Sequence, residues 1–403
     1  MEFKSLFANG FSRRNLFQMG GVAAFGAFIP LTARAAGARD PRFITIVLRG
    51  ALDGLTAVPP VGDPDYARLH GREAQTTSQP LPLNTMFGLH PAMPHFAAQY
   101  RAGQALVVHA SASPYRDRSH FDGQDVLESG FTTPGHTDSG WMNRLLLTLR
   151  QDQRITAMQG LSVGTTTPLI IRGQADILGW APSSLSLKDP DLPGRVLALY
   201  QESDPAFAAT FRDAIKTNRI TAGFDANSAR GGPADPQMMA AMATGTAQFL
   251  ARDDGPRIAA LAFEGWDTHV SETDRLTRLL GGLDDALYAF QHTLGPVWKD
   301  TAILVITEFG RTAAINGTQG TDHGTGTTAF LTGGAVKGGR VIADWPGLKT
   351  AQLYQGRDLA PTIDLRSIAK GVMAELYDVS DKALATTIFS NSDTAVPMKG
   401  LIA

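Results

Sequence analysis

Ile258-Ala-Ala-Leu-Ala-Phe263, a stretch carrying Leu276, Leu279, Leu280, Leu283, Ala286, Leu287 and Phe290, and then Thr301-Ala-Ile-Leu-Val-Ile-Thr307 together decide the fold. The two outer runs are continuously apolar, which suits strands buried on both faces of a parallel sheet. Between them the apolar residues recur at spacings of three and four, which predicts an amphipathic helix that starts at the capping-box-like Ser271-Glu-Thr-Asp274 and ends near Gly295. Strand, helix, strand in this order is a parallel crossover unit. Working outward, Phe43–Leu48, Ala105–His109 and Thr327–Leu331 read as further strands, and Gly123–Leu127 and Leu365–Tyr377 as helices. The fold class expected is α/β: a mostly parallel sheet flanked by helices on both faces.

Residues 131–255 look like an addition to that frame. They hold two helix-like patterns, Leu192–Ile215 and Pro236–Leu250, separated by a loop from Gly223 to Asp235 rich in Gly, Asn, Asp and Pro, so a mainly helical insertion is expected. The main domain spans about 40–385, and 386–403 reads as a polar tail.

With 403 residues the chain can bury a core without staples. Its 36 basic and 38 acidic residues leave a net charge of −2, which gives no basis for bulk electrostatic capture of nucleic acid or anionic membrane. Cysteine is absent, which removes disulfides, thiolate metal sites and cysteine nucleophiles together. At the start, Arg13-Arg14 precedes a mild apolar stretch from Met19 to Pro30, and Ala33 and Ala35 fit an A-x-A processing site. Residues 1–35 thus read as a twin-arginine signal peptide, with the twin-arginine translocase as transient partner and a periplasmic or secreted product. No run reaches the roughly 18 apolar residues of a membrane span.

Acidic and histidine side chains recur just past the strand candidates, where open α/β sheets bind ligands. Asp53 follows the first strand, although Asp53-Gly54 is equally a turn signal. Arg118-Ser119-His120-Phe-Asp122 leads into a helix. A hydroxyl there meets free backbone donors, so Ser119 is a candidate nucleophile and equally a candidate N-cap. Asp267 and His269 leave the third strand, Glu308 and Arg311 the fourth, and Asp322-His323 sit in a glycine-rich loop before the last. These carboxylates and imidazoles suit a divalent ion: zinc or manganese by donor type, with calcium and magnesium also open.

Phe-Glu-Gly-Trp-Asp-Thr-His at 263–269, Glu-Phe-Gly-Arg-Thr at 308–312, Thr-Asp-His-Gly-Thr-Gly at 321–326 and Arg-Ser-His-Phe-Asp at 118–122 resemble the bacterial domain-of-unknown-function 1501 family. That family is regarded as a distant branch of the alkaline phosphatase and sulfatase superfamily. The resemblance implies an alkaline-phosphatase-like fold, a two-metal site and hydrolysis of phosphate or sulfate esters, on a small-molecule or glycan substrate. By the same resemblance, Asp53, Asp267, His269, Glu308 and His323 stand where metal ligands would, and Ser119 or His120 where the nucleophile would. Phe309 occupies the place of an expected histidine, for which His120, Asp122 or Asp322 are possible replacements. Arg118 and Arg311 are candidate grips for an anionic group, or else loop salt bridges. Ala112 breaks the pattern that formylglycine formation requires. The other reading is a catalytically inactive, metal-stabilised envelope or glycan-binding protein on the same fold.

Overall fold

The computed structural model describes residues 39–76, 79–151, 160–182, 192–203, 208 and 234–403. The proposed signal peptide, the end of the predicted 192–215 helix and most of the 223–235 loop lie outside these.

Nine strands form one sheet: β1 (Arg42–Leu48), β4 (Ala105–Ala112), β5 (Gly160–Val163), β6 (Ile177–Trp180), β7 (Ile258–Phe263), β8 (Thr301–Thr307), β9 (Thr327–Thr332), β10 (Arg340–Ile342) and β11 (Ile363–Asp364). Their order is β10-β4-β9-β8-β1-β7-β5-β6, with β11 also on β4. A separate two-stranded hairpin joins β2 (Leu81–Pro82) and β3 (Gly88–Leu89). Every pairing in the large sheet is parallel except those of β9, which runs antiparallel to both β4 and β8. This reversal has a consequence for the site. The start of β9, and with it the preceding His323, lies at the sheet edge where the parallel strands end.

Alternation along β1 separates two cores. Ile44, Ile46 and Leu48 face a cluster fed by the helices Pro94–Arg101, Pro236–Leu250 and Glu272–Leu294, whereas Phe43 and Val47 face Trp141–Gln151 and Leu365–Tyr377. Helices therefore cover both faces, as expected. The crossover β7, Glu272–Leu294, β8 forms as predicted, but its start differs. Ser271 takes a left-handed φ of 48° and makes no side-chain cap, so the capping-box reading fails there. The Glu272 amide instead donates to the Gln319 carbonyl.

Two other expectations are refined. Among the described residues of 131–255, the short strands β5 and β6 extend the central sheet beyond β7, the helix Pro236–Leu250 spans the run expected of it, and the described part of the 192–215 run is the helix Leu192–Ser203. The C-terminal tail is not a polar appendage. Leu384, Ile388, Phe389, Leu401 and Ile402 join the second core, and the Glu375 carboxylate accepts the amides of Gly400, Leu401 and Ile402. Among the described residues no helix is long and apolar enough to cross a membrane.

Candidate metal centre

Four chain segments deliver the site. The helix His120–Ser129, which follows β4, ends at Gly130 in the left-handed conformation glycine favours. Its first residue is His120. After β7 the chain passes Gly265 and the buried Trp266 to reach Asp267 and His269. After β8 come Glu308 and Phe309, and before β9 comes His323. The β1 loop closes the base. Gly50 has a φ of 118°, and a Cβ there would collide with the Asp267 amide, so only glycine lets the two loops touch.

His120, Asp267 and His323 offer donor atoms that all lie within 4.8 Å of one another. The His120 and His323 Nε2 atoms face each other at 2.9 Å. His323 Nε2 is 3.3 Å from Asp267 Oδ1, and His120 Nε2 is 3.5 Å from Asp267 Oδ2. His269 Nε2 joins them, 2.9 Å from Asp267 Oδ1 and 3.1 Å from His323 Nε2. A tetrahedral ion with bonds of about 2.0–2.1 Å holds its donors roughly 3.3 Å apart. The observed separations bracket that edge, so this is a possible His/Asp metal site whose donors already point at one centre.

The far side of each ring is equally defined. His120 Nδ1 meets Glu308 Oε1 at 2.9 Å, His269 Nδ1 meets Asp322 Oδ1 at 3.3 Å, and His323 Nδ1 donates to the Arg118 carbonyl at 3.0 Å. Imidazoles that ligate a metal are oriented in this way, through the nitrogen that does not bind. Glu308 is fully buried, and its Oε1 also accepts from the Gly50 amide at 2.8 Å and from Gln124 at 3.2 Å. Its Oε2 accepts from the Thr307 hydroxyl. Glu308 and Asp322, both expected as ligands, thus stand behind histidines, while His120, expected near the nucleophile, stands among the converging donors. Phe309 stacks on His120 at 5.0 Å between ring centroids and walls that ring in.

The charges follow from these contacts. Burial would raise the Asp267 carboxyl, but the Arg311 hydrogen bond and charge, with His269 and His120, hold it below the ordinary carboxylate range. Its hydrogen bond to Glu308 lifts His120 above the usual imidazole value, against desolvation. Burial and the His120 charge push His323 down. Asp322 is lowered chiefly by the Asn316 amide.

Both arginines are engaged in salt bridges. Arg311 has a fully buried side chain that donates to Asp267 Oδ1 at 2.6 Å, to the Thr321 hydroxyl at 3.1 Å and to the Thr321 carbonyl. Arg118 is paired with the buried Asp358 at 2.7 Å and with Gln355. Asp53 is 1 % exposed; it accepts from the Leu55 amide as the N-cap of Gly54–Ala57 and contacts His70 Nε2 at 3.4 Å. Ser119 is the N-cap residue of the His120 helix, but its side chain makes no cap bond, and its amide donates to the Tyr115 hydroxyl at 3.3 Å. Asp122 sits in the first turn of that helix, 3.3 Å from the same hydroxyl. Two exposed apolar side chains adjoin candidate ligands in sequence: Phe121, at 88 %, and Val270, at 50 %.

Asp358 and Gln124 carried no signal in the sequence, and Thr321 stood in a motif without a role of its own. Each acts through a partner 10 or more residues away, which no local pattern reports.

Fold and site define an α/β protein with a possible His/Asp metal centre at the C-terminal ends of its parallel strands. The chain belongs to the DUF1501 family, described as a protein of unknown function, whose model matches residues 40–388. Among solved structures it is similar to a protein of the alkaline phosphatase superfamily from Vibrio parahaemolyticus (11 % identity, 90 % of this chain and 71 % of that one, TM-score 0.40). It is also similar to the phosphonate monoester hydrolase of Agrobacterium radiobacter (9 % identity, 84 % and 74 %, TM-score 0.35) and to alkaline phosphatase from the Antarctic bacterium TAB5 (12 %, 75 % and 94 %, TM-score 0.34). No curated protein matches the sequence.

Proposed function

We propose that this protein is an exported, metal-dependent hydrolase of phosphate or sulfate esters, using one divalent ion, zinc or manganese by donor type, held by His120, Asp267, His269 and His323. The observation that carries the reading is the convergence of three Nε2 atoms on one carboxylate, with each Nδ1 already engaged. Such an ion would polarise an ester oxygen and offset the charge that develops on it. The chain's own groups supply the rest. Arg311 keeps Asp267 ionised, and Glu308 fixes His120 with Nε2 toward the centre. Ser119 heads a ten-residue helix next to a ligand, with its hydroxyl unused as a cap, which supports it as nucleophile. Export is proposed from the Arg13-Arg14 signal, which carries folded, loaded proteins.

A second reading, a metal-stabilised glycan-binding protein without turnover, is favoured by one observation: both arginines placed to hold an anion are committed to Asp358 and Asp267. One experiment separates the readings. The mature protein is assayed by elemental analysis and with aryl phosphate, phosphodiester and aryl sulfate. About one metal per chain with turnover that Ser119→Ala abolishes supports the hydrolase. Metal without turnover supports the binding protein, and a protein that takes up neither zinc nor manganese overturns both.

A further inference from the structure

Asp358 lies between β10 and β11, far in sequence from every motif, and is fully buried. Its backbone is pinned by bridges to Thr312 and Tyr354. Its Oδ2 takes three donors: Arg118 Nε at 2.9 Å, Arg118 Nη2 at 2.7 Å and the Thr325 hydroxyl at 2.8 Å. Arg118 has a φ of 59°, a left-handed conformation that costs a non-glycine residue roughly 1–2 kcal/mol. In that conformation its carbonyl faces the ring of His323 and accepts the Nδ1 proton at 3.0 Å. The neighbouring Arg357 donates to the His323 carbonyl at 2.7 Å. Asp358 therefore reaches both sides of His323, through Arg118 on one and through Thr325, two residues on, on the other.

We infer that Asp358 is a positioning residue for the metal centre: it holds Arg118 in the left-handed conformation, so that the Arg118 carbonyl keeps the His323 proton on Nδ1 and leaves Nε2 facing Asp267 and His120. A plain salt bridge at the surface would do none of this. The pair is buried at the Asp358 end, joins segments 240 residues apart, and its product is the orientation of a main-chain carbonyl. The inference rests on reading His323 as a metal ligand, and its test separates the two.

The experiment uses the full mature chain with zinc chloride as probe, and selectively ¹⁵N-labelled histidine to follow the tautomer of His323 by NMR. Asp358→Asn keeps the shape and removes the charge. It is expected to weaken zinc binding by about 10–100-fold, the usual loss for an orienting partner, and to turn the single Nδ1–H tautomer of His323 into a mixture. Gln355→Ala, which removes the Arg118–Gln355 hydrogen bond, is expected to change zinc affinity by less than about threefold, since that partner is exposed. Arg118→Gly tolerates the same φ without strain, so in the Asp358→Asn background it is expected to restore part of the affinity. If Asp358→Asn does not fold, Thr325→Val removes one of the three donors and is expected to shift both readouts in the same direction by a few-fold. Folded Asp358→Asn protein with zinc affinity within twofold of wild type and an unchanged tautomer overturns the inference. If the wild-type protein binds no zinc, the metal reading falls, while the tautomer in zinc-free protein still decides whether Asp358 positions His323.

Discussion

Two histidine–carboxylate clusters flank the β1 loop and behave oppositely. Around Asp53, every imidazole is sealed. His70 and His109 are fully buried, His109 Nε2 meets the Val58 carbonyl at 2.9 Å, and its Nδ1 accepts the Ala110 amide. Asp53 is raised by burial, but His70, Thr56 and the Leu55 amide together hold it low. Around Asp267 the rings are between about one quarter and two fifths exposed and turn their Nε2 atoms on one another. Residue types are the same in both clusters. What separates a closed structural cluster from an open donor set is where the lone pairs point and whether solvent reaches them.

Breaking each cluster should therefore have opposite consequences. The largest effect is expected from His323→Ala or Asp267→Ala, which should leave purified protein without bound metal by elemental analysis while it remains folded. Asp53→Ala should do the reverse: metal content unchanged, and stability reduced by about 3–5 kcal/mol in denaturant titration, because a buried pair loses one partner. A metal-depleted but fully stable Asp53→Ala protein would reverse the comparison.

The closed cluster also makes a pH prediction. Burial lowers His109 from 6.5 to about 4, so in the folded protein it stays neutral while the unfolded chain takes up a proton. The stability associated with neutral His109 is thus complete above pH 6.5 and is lost as pH falls toward 4, by about 3 kcal/mol at the lower end. Wild-type stability minus that of His109→Gln, measured across this window, should show that slope. A flat difference would mean that the imidazole is not held neutral.

Smaller effects sharpen the open cluster. Glu308→Gln should keep the fold and weaken metal binding by about 10–100-fold, as expected of a group that orients a ligand; complete loss would make Glu308 itself a ligand. Phe121→Ala should raise KM for aryl esters a few-fold with kcat and metal content unchanged, because an almost fully exposed ring beside His120 can stack on substrate without holding any ligand in place. Unchanged KM would remove Phe121 from the site.

Much of the frame was legible because it rests on local pattern. The runs 43–48, 258–263, 301–307 and 327–331 became strands, since unbroken apolar runs can be buried only inside a sheet covered on both faces. The helices at 236–250 and 365–377 followed from their spacing. The strands β5 and β6 did not, being four residues each and too short to carry a period. The motifs likewise identified the residues of the site but not their ranks. Glu308 and His120 were both visible, yet only the bond between Glu308 Oε1 and His120 Nδ1 shows which one faces the centre.

The sequence by itself determined the class of fold, the family, and the set of carboxylates and histidines gathered at the strand ends, because apolar periodicity and motif spacing are properties of neighbours along the chain. Only the tertiary structure decided that Asp53 is sealed with His70, that Arg118 and Arg311 are committed to Asp358 and Asp267, and that His323 reaches the site through the reversed strand β9. Each of these depends on a direction in space between residues distant in the chain: which way a lone pair, a guanidinium or a strand points. Such directions are fixed by packing and hydrogen bonds that form after the chain has folded, and a linear pattern does not contain them.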